Sequence, residues 1–85
     1  MRTVAKVEQI DENSLRIVPT DQWLRRASHD AHLMAALASY QLWKNHNNGS
    51  PVEVIVTDTN NNIYIRTVDT DNGPVVEFPS EQPKG

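Results

Sequence analysis

The sequence predicts an α+β domain of order ββαβββ, in which one long helix packs on one face of an antiparallel sheet of about five strands. Residues 20–49 are the only segment with a sustained helical period of apolar residues. Short segments in which apolar and polar residues alternate lie on both sides of it, two before and three after. Clusters of Asp, Asn, Gly and Pro separate these segments and predict the turns between strands.

Length and composition limit the class of protein further. A chain of 85 residues is expected to form one domain. We predict a single α+β domain over residues 1–78 and a disordered C-terminal tail over 79–85, because the tail is polar and contains two prolines. The absence of cysteine excludes disulfide frameworks and, with no predicted signal peptide, favours a cytoplasmic location. No apolar run approaches the roughly 20 residues of a membrane helix.

The first two strands are predicted to form a hairpin over residues 2–10 and 14–18, joined by the turn 11–13. A three-residue turn places Val7 opposite Ile17 and Glu8 opposite Arg16. One face of the hairpin is then apolar, while the other face pairs opposite charges. The agreement of both faces supports this register.

The last three strands are predicted over residues 52–57, 63–68 and 75–78. Their alternation places Glu53 and Glu77 on either side of Arg66, which makes a charged ladder on the solvated outer face. The opposite face of the sheet collects apolar residues, and the predicted inward side chains are Ala5, Val7, Leu15, Ile17, Val52, Val54, Val56, Ile63, Ile65, Val76 and Phe78. The pattern leaves open whether the hairpin and these strands share one sheet.

The helix is predicted from about residue 21 to residue 45. Thr20 can cap its first turn, and the segment 47–49 followed by Pro51 ends it. Ser28 could instead restart the helix, which would give a short first piece and a longer second piece. The apolar spacing continues through Ser28 without a change of phase, and this favours one helix.

The helix carries two apolar faces. At about 3.6 residues per turn, a broad arc is predicted to form the core, and it comprises Trp23, Leu24, Ala27, Ala31, Met34, Ala35, Leu37, Ala38 and Leu42. A second stripe lies outside this arc. Because Tyr, Trp and Arg are enriched in interfaces, the predicted partner-binding residues are this stripe and its polar neighbours, Arg25, His29, His32, Leu33, Ala36, Tyr40 and Trp43. The alternative is that a helix edge packs under the hairpin or the tail and buries part of the stripe.

Few residues have a pattern that indicates chemistry. His29 and His32 are three residues apart on the helix, but His46 is too distant to complete a metal site with them. The turns 58–62 and 69–73 begin like calcium loops but lack the sixth-position glycine and the final glutamate. The chain has no nucleophile elbow and no phosphate-binding glycine loop. We therefore predict no enzymatic activity, no cofactor and no metal.

These patterns favour a small non-enzymatic protein-binding domain that acts as an inhibitor or adaptor of another protein. Phage- and plasmid-encoded modulators of host proteins are often of this kind, which is an analogy at the level of the fold. One alternative is a homodimer formed through the helix stripe. Another is a weak nucleic-acid-binding module that uses the outer sheet face, but a net charge of −3 and the glutamates of that face argue against it. No membrane partner is predicted.

Overall fold

The chain folds as two short β-strands, two helices and three further strands. The computed structural model describes the backbone of residues 4–79 and the side chains of residues 6–79. Its elements are β1 (Val4–Gln9), β2 (Ser14–Pro19), α1 (Asp21–Arg26), α2 (His29–His46), β3 (Glu53–Thr57), β4 (Ile63–Thr70) and β5 (Gly73–Glu77). The α+β class is confirmed. The inward orientation predicted for the Ala5 side chain, and residues 80–85 of the predicted tail, lie outside the described residues.

All five strands belong to one sheet in the order β1-β2-β3-β4-β5. The hairpin and the C-terminal strands are therefore continuous, which the sequence pattern had left open. Three neighbouring pairs are antiparallel as predicted, but β2 and β3 are parallel. The reason is the connection between them, because α1 and α2 carry the chain back along the sheet before β3 begins.

The predicted register is confirmed for β1 with β2 and for β4 with β5. Between β3 and β4 it differs by two residues, so that Ile55 rather than Glu53 lies opposite Arg66. A shift of two preserves the faces of both strands. The charged ladder is consequently present: Arg66 Nε donates to Glu53 Oε2 at 2.6 Å, and Arg66 Nη1 donates to Glu77 Oε1 at 2.8 Å.

The helical segment is divided into two helices at Ala27 and Ser28, so the prediction of one long helix is wrong. Both residues are extended, with ψ angles of 144° and 165°. The Ser28 hydroxyl accepts a hydrogen bond from the Ala31 N–H at 3.1 Å, as an N-cap does. Serine side chains compete in this way with the helical backbone, and here the cap starts α2 as a new helix.

This break reverses the predicted faces of α2. An extended pair of residues does not preserve the rotation of 100° per residue that links the phase of one turn to the next. In α1 the predicted core residue Leu24 is buried, as expected. In α2 the predicted core residues Met34, Ala38 and Leu42 are exposed, and the residues buried against the sheet are Ala36, Tyr40 and Trp43.

Two connected groups of side chains form the core between the helices and the sheet. The first contains Leu24, Ala36, Val56 and Ile65, and the second contains Tyr40, Trp43, Val52 and Val54. Helix α2 contacts β3, β4 and β5. The helix-side face of β1 is open, since the predicted inward residue Val7 is 57% exposed.

Thr67 introduces a polar group into this core. Its side chain is buried on the helix side of β4, and among the described residues its hydroxyl has no hydrogen-bond partner. Burying a hydroxyl without a hydrogen-bond partner costs desolvation free energy. Valine has nearly the same shape as threonine but lacks the hydroxyl, so it avoids this cost. We expect Thr67→Val to raise the free energy of unfolding by about 1 kcal/mol in urea denaturation. Thr59→Val, at an exposed position in the turn 58–62, serves as the control and should have little effect. A loss of stability in Thr67→Val would show that the hydroxyl is satisfied.

Candidate functional site

The structure separates the predicted partner-binding residues. Ala36, Tyr40 and Trp43 lie in the core, where the sheet covers them. Leu33 and His32 are half-buried, and Arg25 and His29 are exposed. A partner in contact with all seven residues would have to displace the sheet, so the exposed surface of α2 must be sought on its other side.

Tyr40 belongs to a polar group that holds the C-terminal half of α2 on the sheet. Its hydroxyl donates to Asp69 Oδ1 at 2.6 Å, and Lys44 Nζ donates to the same oxygen at 3.0 Å. The second carboxylate oxygen of Asp69 accepts from the Val52 N–H at 3.0 Å. One carboxylate thus connects α2 with the beginning of β3 and the end of β4.

The ionisation of these groups follows from their contacts. Burial alone would raise the pKa of Asp69, but the hydrogen bonds from Tyr40, Lys44 and the Val52 N–H outweigh it and hold that pKa below its ordinary value. Burial and the bond to Asp69 raise the pKa of Tyr40. Asp69 is therefore an ionised structural group, and the arrangement keeps Tyr40 protonated as a donor.

Trp43 ties the end of α2 to the hairpin. Its indole Nε1 donates to the Asn13 carbonyl in the β1–β2 turn at 2.9 Å. The ring stacks on His46, with centroids 5.4 Å apart and an angle of 11° between the planes. Trp43 therefore acts as a structural anchor, and its position places the turn 11–13 close to the C-terminal end of α2.

The two histidines considered for a metal have different aromatic neighbours. The His32 ring lies 4.7 Å from the Trp23 ring, and the His29 ring lies 4.3 Å from the Phe78 ring, measured between centroids. Within residues 4–79, no group of three or more His, Asp or Glu residues is placed to hold a metal ion. The histidines contact aromatic rings of α1 and of the segment that follows β5.

The outward face of α2 is apolar in its middle part, from Met34 to Leu42. Met34 is 71% exposed and Leu42 is 72% exposed, and Ala38 lies between them at a spacing of four residues on each side. Leu37 adds a further exposed side chain. Single exposed apolar residues are common on proteins, whereas a row of them on one helix face is typical of a contact surface.

An apolar groove adjoins this face. It has a volume of about 320 Å³ and lies between α2 and the strands β1 and β2. The residues that line it are Val7, Leu15, Ile17, Ser39, Leu42, Trp43 and His46. We use the name "apolar groove" for this cavity. Leu42 belongs both to the groove and to the outward face, so the two form one continuous surface.

A turn with two acidic residues adjoins one end of the apolar groove. Asp11 and Glu12 are exposed in the β1–β2 turn, which Trp43 holds against the C-terminal end of α2. The end of the apolar groove at Trp43 and His46 therefore lies next to a turn that contains two acidic residues. This combination suits an occupant with apolar side chains and a basic flank.

The opposite face of the sheet has a different character. Arg16 Nη1 and Lys6 Nζ lie 3.3 Å and 3.2 Å from the carboxylate of Glu8, and Arg66 contacts two further glutamates. A nucleic acid bound to the outer sheet face would need these three cations to contact its phosphates. Since glutamates already contact them, the outer face offers little uncompensated positive charge to a phosphate backbone.

The apolar period of the sequence predicts that Met34, Leu42 and Val7 lie in the core, and this surface was therefore not predicted. Two signals pointed to it. Ser28 is a good N-cap that allows α2 to begin with its own phase, and β1 is a terminal strand that one helix of 18 residues does not cover.

Comparisons of the chain with protein-family models, with curated proteins and with solved structures found no match. No helix within residues 4–79 is long and apolar enough to cross a membrane.

Proposed function

We propose that this protein binds another protein, as an inhibitor or adaptor, by accepting an amphipathic basic helix along α2 and in the apolar groove. The observation that carries the proposal is the exposure of Met34 and Leu42 beside a groove with apolar walls. Burial of such side chains by a partner removes apolar surface from water, which is the main favourable term in protein association.

A helix is the occupant that fits the shape of this surface. Helix α2 has 18 residues and is about 27 Å long, so a partner helix of similar length can lie beside it. Helices that bind in grooves use apolar residues spaced by three, four and seven. Met34, Ala38 and Leu42 present a row at intervals of four, with the small Ala38 in the middle, where it permits close approach.

The charge of the surface favours a basic occupant. The chain has a net charge of −3, and Asp11 and Glu12 are exposed near one end of the groove. Charges at the rim of an interface mainly raise the association rate and select the orientation of the partner. The proposed helix is therefore apolar on one face and carries lysine or arginine at the end that approaches the turn 11–13.

The proposal can be tested by selecting peptides from a displayed library of helical sequences. We expect the wild-type protein to enrich amphipathic basic peptides. Leu42→Glu should weaken their binding by at least about 10-fold, because it places a charge where an apolar anchor would be buried. Val75→Glu is the matched control, since Val75 is an exposed apolar residue on the outer sheet face, and it should bind as the wild type does.

Thermal unfolding of both variants establishes that they are folded. Substitution at exposed positions typically changes the free energy of unfolding by about 0.5 kcal/mol or less, so both melting temperatures should stay close to that of the wild type. The proposal is wrong if no peptide is enriched, or if the enriched peptides bind Leu42→Glu as tightly as they bind the wild type.

A further inference from the structure

The two edges of the sheet differ in their capacity to pair with another strand. Edge strands expose unpaired backbone N–H and C=O groups. Strand β5 contains Pro74 and is followed by Pro79, and proline has no N–H to donate. Strand β1 contains no proline. Its only irregularity is a register shift between Val4 and Lys6, at its beginning. The open edge is therefore β1.

We propose that β1 pairs antiparallel with β1 of a second copy of this chain, about a two-fold axis at Val7, and so joins the two sheets into one. The sequence around Val7 is self-complementary in this register. Val7 lies opposite Val7 of the other copy, and Lys6 lies opposite Glu8 in both directions. An interface of this kind is isologous, since the same patch serves both copies.

The charges select this register over its neighbours. Because the side-chain period of a strand is two, the pairing register can shift only by an even number of residues if both faces are to be preserved. A shift of two residues moves the two-fold axis by one residue, to Lys6 or to Glu8. Moving the axis to Lys6 places Lys6 opposite itself, and moving it to Glu8 places Glu8 opposite itself. Like charges directly opposite each other destabilise a strand pair. Of these three registers, only the axis at Val7 places Lys6 opposite Glu8.

The contacts within one copy prepare this arrangement. Glu8 already lies 3.3 Å from Arg16 of β2 and 3.2 Å from Lys6 of its own strand. In the pair of copies, Glu8 lies between Arg16 on one side and the second copy's lysine on the other. That row repeats, with the signs exchanged, the ladder of Arg66 between Glu53 and Glu77 in the same sheet.

The geometry also accounts for the exposure of Val7. This side chain is 57% exposed on the helix side of β1, and a second Val7 opposite it would cover part of its surface. A lysine on an edge strand ordinarily prevents pairing with other strands, and here Glu8 cancels that effect for one orientation only. The rotation axis stands perpendicular to the sheet, so both apolar grooves would lie on the same side of the dimer.

Complementary charge variants test the pairing. A short strand interface belongs to the weak class below about 1,200 Å², so we expect the wild type to dimerise at micromolar or higher concentration in sedimentation equilibrium at low salt. Lys6→Glu and Glu8→Lys should each raise the dissociation constant by about tenfold or more, because each places like charges opposite each other twice. An equimolar mixture of the two variants should restore the dimer as a heterodimer. Glu12→Lys changes the net charge as Glu8→Lys does, but it lies in the turn outside the strand, and it should dimerise normally.

A cysteine variant gives a second test that does not require a charge change. The chain has no cysteine, so Val7→Cys introduces a single thiol at the proposed axis. We expect copper–phenanthroline oxidation to cross-link Val7→Cys at least about 10-fold faster than Val75→Cys on the opposite edge, because opposed strand residues have the separation that a disulfide needs.

A wild type that is monomeric at about 1 mM overturns the proposal. Failure of the mixture to restore the dimer, or equal cross-linking of the two cysteine variants, overturns it too. The peptide-binding test above is independent of these results.

Discussion

Replacing Trp43 by alanine is expected to lower the free energy of unfolding by about 4 kcal/mol. The side chain is only 7% exposed and packs with Tyr40, Val52 and Val54. Its removal leaves a cavity, and the Asn13 carbonyl loses one of its two donors, the other being the Glu53 N–H. A domain of this length has a total stability of about 4–13 kcal/mol, so the variant should lose between about a third and all of its stability, as measured by urea titration followed by far-UV circular dichroism.

The adjacent residue provides the control. Leu42 is 72% exposed, so Leu42→Ala should change the free energy of unfolding by about 0.5 kcal/mol or less. Trp43→Phe retains most of the ring but loses the indole donor, and it should fall between the two. The opposite order, with Leu42→Ala more damaging than Trp43→Ala, would mean that α2 presents its other face to the sheet.

Replacing Asp69 by asparagine is expected to lower the free energy of unfolding by about 3 kcal/mol at neutral pH. The Asp69 carboxylate is 7% exposed and accepts hydrogen bonds from Tyr40, Lys44 and the Val52 N–H. Asparagine keeps the shape but removes the charge, and it replaces one acceptor oxygen with a donor that faces other donors. Asp71→Asn, two residues later at an exposed position, is the matched control and should have little effect.

The contribution of Asp69 to the free energy of unfolding should decrease as the pH falls. Its pKa in the folded protein lies below the ordinary value, which is about 3.9 for aspartate in an unfolded chain. Below that value the unfolded chain binds the proton while the folded protein does not, so the contribution of Asp69 is present above about pH 4 and is lost as the pH falls through the folded pKa.

Urea titrations of the wild type and of Asp69→Asn between about pH 7 and pH 2 measure this dependence. The difference between their free energies of unfolding should be constant near neutral pH and should narrow in acid. A difference that stays constant down to the lowest pH, or that widens there, would show that the carboxylate does not stabilise the fold as an ionised group.

The strands of this protein could be predicted because their information is local. Alternation of Val52, Val54 and Val56 defines a face whatever the neighbouring strand is, and the charge pairs of Arg16 and Arg66 support the sheet from the other side. The two-residue error between β3 and β4 arose at a point of irregular register after Val56. A register difference of two residues changes which residues lie opposite each other, but every side chain stays on the same face of the sheet.

The faces of α2 could not be predicted in the same way. The helix carries apolar residues on two sides, and each side is compatible with a core when the helix is considered alone. The decision depended on whether Ser28 interrupts the segment. A continuous helix joins Leu24 and Leu42 in one arc, whereas the capped start at Ser28 allows Leu24 and Trp43 to face the same core.

The sequence by itself determined that this is an α+β domain, which segments pair in hairpins and where the charged ladder lies, because turn residues and the period of two act over a few residues. The tertiary structure decided three other matters, namely the parallel pairing of β2 with β3, the burial of Trp43 and the exposure of Leu42. Each depends on where α2 lies across the sheet, and that position follows from the summed contacts of many side chains. The apolar groove exists for the same reason, because the helix covers β3 to β5 and leaves β1 open.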